Sequence, residues 1–329
     1  MATPAEWIAG ARPRTLPAAV APVLAGTGVA AWISHAVWWA AALALVVSLA
    51  LQVAVNYAND YSDGIRGTDD DRVGPMRLVG SKKATPAAVK RAMLISFGVA
   101  GLAGTVLALS TAWWLIAVGL VCVVAAWFYT GGSKPYGYLG LGELMVFVFF
   151  GLVATVGTTF VQVWRTPLSM FGGGESESGI LYVAGSSLAR HCYIPCPDSP
   201  HPYIWLLPAL LAGTAIGALA CAILVANNLR DIPTDTVSGK MTLAVRLGDH
   251  RTRGLYAALT AAALGALVAL AALTSAWALL GLVFLVPALK GVRVVTSGAT
   301  GPGLIPVLQK TGIAELLLGA GVFAGLLIA

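Results

Sequence analysis

Long apolar runs alternate with short polar gaps along this chain. Runs close to the ~20 residues needed to cross a bilayer's hydrocarbon core recur at 16–33, 37–57, 92–109, 113–129, 139–163, 204–225, 255–273, 276–295 and 305–328. Read as helices, they predict nine transmembrane spans. Little more than Ser34 and His35 separates the first two, and residues 110–112 separate the third and fourth, so these neighbours must form tight antiparallel hairpins. The pattern predicts an all-α integral membrane protein, with nine helices in one bundle. Residues 1–329 form a single membrane domain, and 164–203 are a loop insertion on the extracytoplasmic side.

Composition agrees with the pattern. Of 329 residues, 58% are hydrophobic and 10% charged, against roughly 25% charged in a soluble domain. Charge also orients the bundle. Of the 20 Lys and Arg, all but Arg165 and Arg190 fall on the face that receives the N-terminus and the even-numbered connections. By the positive-inside rule that face is cytoplasmic, in a multi-pass protein of the cell membrane. The net charge of +6 reads as topology plus anion binding, because nothing in the chain resembles a nucleic-acid module.

Two polar patches stand out, each at the end of an apolar run: Asn56-Tyr57-Ala58-Asn59-Asp60-Tyr61-Ser62-Asp63-Gly64, and Asn227-Asn228-Leu229-Arg230-Asp231-Ile232-Pro233-Thr234-Asp235. Asn56 and Asp60 are four apart, and Asn227, Asp231 and Asp235 fall at i, i+4 and i+8, so on a helix each set shares one face. Such converging oxygens suit a hard cation. Ionisable groups at the edge of a membrane are costly unless they do something, and two similar clusters on one face point to a site rather than to solubility. The run Asp69, Asp70 and Asp71 reads more simply as a solvated loop. Interleaved bases, among them Arg66, Arg72, Arg77, Lys82, Lys134, Arg230, Lys240 and Arg246, supply charge for oxyanions. Acids for Mg²⁺ beside bases for oxyanions describe an organic diphosphate site. The chemistry is doubled along the chain. The second run, its Asn-x-x-x-Asp end and Arg77-Leu78-Val79-Gly80 parallel the sixth run, its Asn-x-x-x-Asp end and Arg246-Leu247-Gly248.

These motifs, with Tyr129-Thr130-Gly131-Gly132-Ser133-Lys134 after the fourth span, resemble the UbiA superfamily of intramembrane aromatic prenyltransferases over nearly the whole chain. Within it, residues 11–17 (Ala-Arg-Pro-Arg-Thr-Leu-Pro), 56–63, 72–75 and 227–235 are similar to the 1,4-dihydroxy-2-naphthoate polyprenyltransferases of menaquinone biosynthesis. The resemblance implies two Mg²⁺ ions held by Asp60 and Asp63 opposite Asp231 and Asp235, with Asn56 and Asn227 as further ligands. Either Asp63 or an acid among Asp69 to Asp71 completes the first set. Lys134, Lys240 and an Arg such as Arg14, Arg72 or Arg77 would stabilise the leaving diphosphate, while Asn59, Tyr57, Tyr129 and Asn228 would contact substrate. Tyr57, Tyr61, Tyr129 and the aromatics of 147–150 could shield an allylic cation. The implied reaction joins a polyprenyl diphosphate to the naphthoate, releasing diphosphate and CO₂ and giving a demethylmenaquinol. The diphosphate motifs themselves leave 4-hydroxybenzoate, homogentisate or a porphyrin-type ring as other acceptors.

Other readings fit less well. Asp60-x-x-Asp63-Gly64 opens like the CDP-alcohol phosphotransferase pattern, but Ile65-Arg66-Gly67 follows and the continuation never comes. An ion-coupled transporter would need acids deep in its spans, and Glu143 is the single candidate the pattern offers. The segment 164–203, rich in Gly, Ser and Pro, reads as a flexible insertion. Its Cys192 and Cys196 leave a disulfide open, and with His191 and His201 a metal site.

Overall fold

The computed structural model describes residues 2–66, 76–132, 135–164 and 203–329, and across these the ordered elements are all helical. In chain order, α1 (Pro4–Gly10) leads through a 3₁₀ turn at Pro13–Thr15 to α2 (Pro17–Trp32), and α3 (Trp38–Arg66), α4 (Pro86–Ser110) and α5 (Leu115–Thr130) follow. After a 3₁₀ turn at Tyr136–Leu139 come α6 (Gly142–Val146), a π-helical stretch (Phe147–Val153) and α7 (Ala154–Val163) as one continuous rod. The last part comprises α8 (Leu206–Val237), α9 (Leu243–Leu273), a 3₁₀ stretch at Ala276–Phe284 running into α10 (Leu285–Thr296), and α11 (Ile305–Leu327).

Among the described residues seven helices are long and apolar enough to cross a membrane, and an eighth span results if α1 and α2, bent by 49°, count together. The expected nine are not reached on that measure because of α5. Its 16 residues reach about 24 Å at ~1.5 Å per residue, short of the ~30 Å hydrocarbon core. The sharp turn predicted at Ser34 is present, with Ser34 at φ 61° and its amide bonded back to the Ala31 carbonyl.

α8 is the centre of the bundle. In its most apolar window 72% of residues are buried, against 22% for α3. Small residues allow this: a Cβ on Gly151 would stand 2.7 Å from both the Gly213 carbonyl and the Gly217 Cα, so the π-helical stretch and α8 cross at backbone contact. Both polar patches lie on helix rather than in loops. α3 continues past its apolar run to Arg66, and α8 to Val237, carrying Asn56–Asp63 and Asn227–Asp235 on their final turns.

Candidate active site

At the end of α3, Asp60 is 1% exposed and accepts the backbone amides of Leu78 (2.7 Å, Oδ2) and Val79 (3.0 Å, Oδ1). It thereby pins the 76–84 connection onto the helix. Leu78 is fully buried in the same cluster as Tyr57 and Met93. Gly64 follows from the same packing, since a Cβ there would meet the Val79 side chain at 2.5 Å. Asp63, one turn on, bonds the Arg77 guanidinium at 3.3 Å and accepts the Tyr138 hydroxyl at 2.8 Å. Asn56 donates to the Ala11 carbonyl (2.9 Å) and to Thr15 Oγ1 (3.0 Å), fastening α3 to the turn before α2.

On α8, Arg230 grips Asp231 with two nitrogens, Nε to Oδ1 at 2.6 Å and a terminal nitrogen to Oδ2 at 2.7 Å, and reaches Asn227 Oδ1 at 2.9 Å. Lys240 lies 3.6 Å from Asp235. Pro233, inside the helix, has no amide to offer the Leu229 carbonyl and so loosens the turn between the two aspartates.

Tyr138 joins the two patches. Its hydroxyl bonds Asp63, while Arg66 lies 5.6 Å and Lys240 5.0 Å from its ring centroid, and Lys240 in turn pairs with Asp235. A chain of contacts thus runs Asp63–Tyr138–Lys240–Asp235, and both acid patches occupy one end of the bundle. Burial, followed by the neighbouring Asp63 carboxylate, pushes the Tyr138 phenol up to about 12, so it remains a donor to Asp63 at neutral pH. Sequence reasoning missed this residue. The available signal was the density of aromatics and glycines in Pro135-Tyr136-Gly137-Tyr138, directly after the Tyr129–Lys134 motif.

Beside the patches opens a cavity of about 370 Å³. Asn56, Asn59, Gln52, Tyr129 and Tyr136 line its polar end, and Val23, Ala44, Leu107, Leu115 and Val161 its apolar one. From Ala44 to Asn59 along α3, at ~1.5 Å per residue, the wall is about 22 Å long. Phe149 and Phe150, on the π-helical stretch, line its flank. π-helical turns inside α-helices are frequent at functional sites.

Several expected site residues also hold partners within the protein. Asp60, expected to bind metal, has both oxygens turned to the Leu78 and Val79 amides. Tyr57, expected near substrate, donates to the Trp7 carbonyl at 3.0 Å and packs edge-on against the Trp7 ring. Tyr61, expected to shield a cation, lies under the Lys90 ammonium. Asn228 points into the bundle and donates to Glu143 Oε1 at 2.9 Å. In each case the partner sits on a neighbouring element, which one-dimensional spacing does not reveal. Arg14 is exposed on the turn before α2. Arg72, Lys134, Asp69 to Asp71, and the Cys192, Cys196, His191 and His201 group lie outside the described residues. Glu143 is also not alone as a deep acid. Glu315 on α11 is 0% exposed, with neither carboxyl oxygen hydrogen-bonded.

The donor set bears on metal binding. Asp63, Asp231 and Asp235 are each paired with a cation, Arg77, Arg230 and Lys240 respectively. Among the described residues no three His, Cys, Asp or Glu side chains converge into a ready cage. All-oxygen ligands, few per ion, fit Mg²⁺, which keeps waters and takes substrate phosphates to complete its shell.

Comparison with known proteins gives a consistent picture. The profile of the UbiA prenyltransferase family matches residues 19–299. A 1,4-dihydroxy-2-naphthoate octaprenyltransferase of Mycobacterium tuberculosis is 52% identical over 326 residues, covering 99% of this chain and 98% of that protein. The protein of the same name from Escherichia coli is 34% identical, over 96% of this chain and 94% of its own length. Among solved structures, a UbiA homologue from Archaeoglobus fulgidus bound to DMAPP and Mg²⁺ superposes with a TM-score of 0.63 at 13% identity, over 98% of this chain and 99% of that one. The apo UbiA homologue of Aeropyrum pernix K1 gives 0.65 at 13% identity, over 94% and 97%.

Proposed function

The chain belongs to the UbiA prenyltransferase family, and from that premise we propose that it transfers a polyprenyl group from polyprenyl diphosphate to 1,4-dihydroxy-2-naphthoate. Diphosphate and CO₂ are released and a demethylmenaquinol forms, a step of menaquinone biosynthesis. The observation that carries this reading is end-to-end identity with proteins bearing that activity in their names, at 52% and 34%. We further assign the site to the cytoplasmic side of the cell membrane, because the basic residues gather at the same end as both patches.

Asn56, Asp60 and Asp63 on α3, with Asn227, Asp231 and Asp235 on α8, would hold two Mg²⁺ ions, which would supply neutralisation of the diphosphate as its bond to the prenyl carbon breaks. Asp60 also anchors the 76–84 connection and keeps Asp63 and Arg77 in place. Arg77, Arg230 and Lys240 pair with the acids while the site holds no substrate, and they are placed to turn to phosphate oxygens. The electron pair of the cleaved C–O bond leaves with the diphosphate. The ring carbon bearing the carboxylate then attacks the allylic cation, and that carboxylate departs as CO₂. Tyr129, Phe149 and Phe150 on the cavity wall present aromatic faces to the cation and exclude water. The apolar remainder of the cavity takes the tail, whose every buried CH₂ favours a dry site by ~0.8 kcal/mol.

Purified protein given a polyprenyl diphosphate should release diphosphate when both Mg²⁺ and the naphthoate are present, and should stop on chelation of the metal. Release that ignores the naphthoate, or prenylation of 4-hydroxybenzoate in its place, would remove this reading.

A further inference from the structure

Between Met76 and Gly142 the sequence holds no Asp or Glu, yet five of the chain's 20 Lys and Arg fall at 77–91. Arg77 is buried against Asp63. The other four, Lys82, Lys83, Lys90 and Arg91, are exposed. Among the described residues Lys83 alone of these has a counter-charge, Glu6 of α1 at 3.1 Å, while Lys90 lies over the Tyr61 ring at 5.9 Å. A short, solvent-accessible stretch thus carries cations with almost nothing of opposite sign.

The helix that follows fixes the depth of this stretch. Along α4, Val89, Met93 and Ala100 are buried, and the opposite side carries Lys90, Arg91, Leu94 and Ile95. Leu94 and Ile95, 54% and 68% exposed, follow the two cations by four residues, ~6 Å along the helix. In a bilayer these apolar side chains lie against acyl chains, so the cations one turn above them stand level with the headgroups. α1 marks the same level, with Glu6 turned to Lys83 and with Pro4, Ala5, Ile8 and Ala9 forming an apolar exposed side. The positive-inside rule accounts for cations on this rim, but not for their gathering on the connection that holds the acid patch. Asp60 takes the Leu78 and Val79 amides and Asp63 pairs with Arg77, while the amides of Lys82 and Lys83 return to the Val79 and Leu78 carbonyls. A ligand at 82–91 therefore restrains the same piece of chain that positions both aspartates.

We propose that Lys82, Lys83, Lys90 and Arg91 bind the phosphate headgroup of an acidic phospholipid from the surrounding leaflet, and that this lipid steadies the 76–84 connection on α3. Ammonium and guanidinium donors match phosphate oxygens, and the lipid need not leave the bilayer to reach them. This site is independent of the naphthoate reading, because neither the lipid nor its test involves turnover.

Full-length protein in a neutral detergent is titrated with phosphatidylglycerol or phosphatidylcholine, and bound lipids are counted by native mass spectrometry. Wild type should hold phosphatidylglycerol about tenfold or more tighter than phosphatidylcholine. Lys90→Gln/Arg91→Gln should erase that preference. Lys290→Gln/Arg293→Gln, which removes the same charge from exposed positions on α10, should keep it. Amide exchange across 76–84 should slow about fivefold or more when phosphatidylglycerol is added to wild type, and should not respond in the Lys90/Arg91 variant. Equal losses in the two double variants would mean that rim charge alone attracts the lipid, and no preference in wild type would mean that 82–91 recognises no headgroup. Either result overturns the proposal. So does exchange that ignores bound lipid, or displacement of the lipid by geranyl diphosphate with Mg²⁺, which would give the patch to the donor. If the Lys90/Arg91 variant does not fold, Arg91→Gln alone, which spares the Tyr61 contact, should lower the preference by about threefold or more. An undiminished preference there counts against the lipid site.

Discussion

At the scale of single residues, the site depends on carboxylates that are neutralised without being locked. Asp231 pairs with Arg230 in a buried ion pair and touches Asn227, so Asp231→Ala should abolish turnover while the protein still inserts, with a thermal midpoint lowered because Arg230 loses its counter-charge. Normal turnover in that variant would remove Asp231 from the metal set. Tyr138→Phe is more selective. The ring under Lys240 and Arg66 remains, while the hydroxyl's 2.8 Å bond to Asp63 and its contact with Arg66 are lost. A hydrogen bond to a charged group contributes about 1.5–3 kcal/mol, so catalytic efficiency should fall by about tenfold or more, with much of the loss in the Mg²⁺ concentration needed for half-maximal rate. An unchanged Mg²⁺ requirement would reduce Tyr138 to a packing residue. The acids that carry these predictions were legible in the sequence from their four-residue spacing beside apolar runs. Tyr138 was not, because its role arises where a turn after α5 folds over the ends of α3 and α8. Likewise Asp60 and Asp63 look equivalent in one dimension, and only the return of residues 76–84 onto α3 shows that Asp60 also anchors that connection.

At the scale of elements, glycine separates helix faces that hydropathy alone treats alike. Gly151 meets α8 at backbone contact, whereas Gly98 on α4 has nothing within 4 Å of where a Cβ would stand. Gly151→Ala should therefore lower the thermal midpoint in detergent by several degrees, equivalent to about 1–3 kcal/mol of overpacking. Gly98→Ala should be neutral or slightly stabilising through helix propensity. Equal effects at the two positions would mean that the crossing of the π-helical stretch with α8 is looser than its geometry indicates. The helices themselves could be read from the sequence, and so could the polar turns that end α3 and α8, whose i, i+4 spacing is helical. The interior acid of α11 was passed over although Glu315 stands in the sequence within the run 305–328; only its complete burial emerges from packing against neighbouring helices.

At the scale of the whole molecule, α5 sets how the cavity meets the bilayer. No described side chain of α5 is fully buried, although Val118, Gly119, Cys122 and Ala126 line the cavity. The wall is therefore thin here, and a bulky group at Gly119 would enter the cavity without a buried core to disturb. Gly119 lies ten residues from Tyr129, about 15 Å along the helix from the polar end. A tryptophan there should leave room for the head and first units of a donor while obstructing a long tail. With Gly119→Trp, geranyl diphosphate should be used at close to the wild-type KM, and an octaprenyl donor should show a KM raised by about tenfold or more. Because the two donors share the same diphosphate and the same acids, a defect common to both would point to misfolding, while an unaffected octaprenyl donor would show that the tail leaves the site by another path. The length selectivity of this one variant thus tests whether the acids at the end of the bundle and the apolar cavity beside them work as one site.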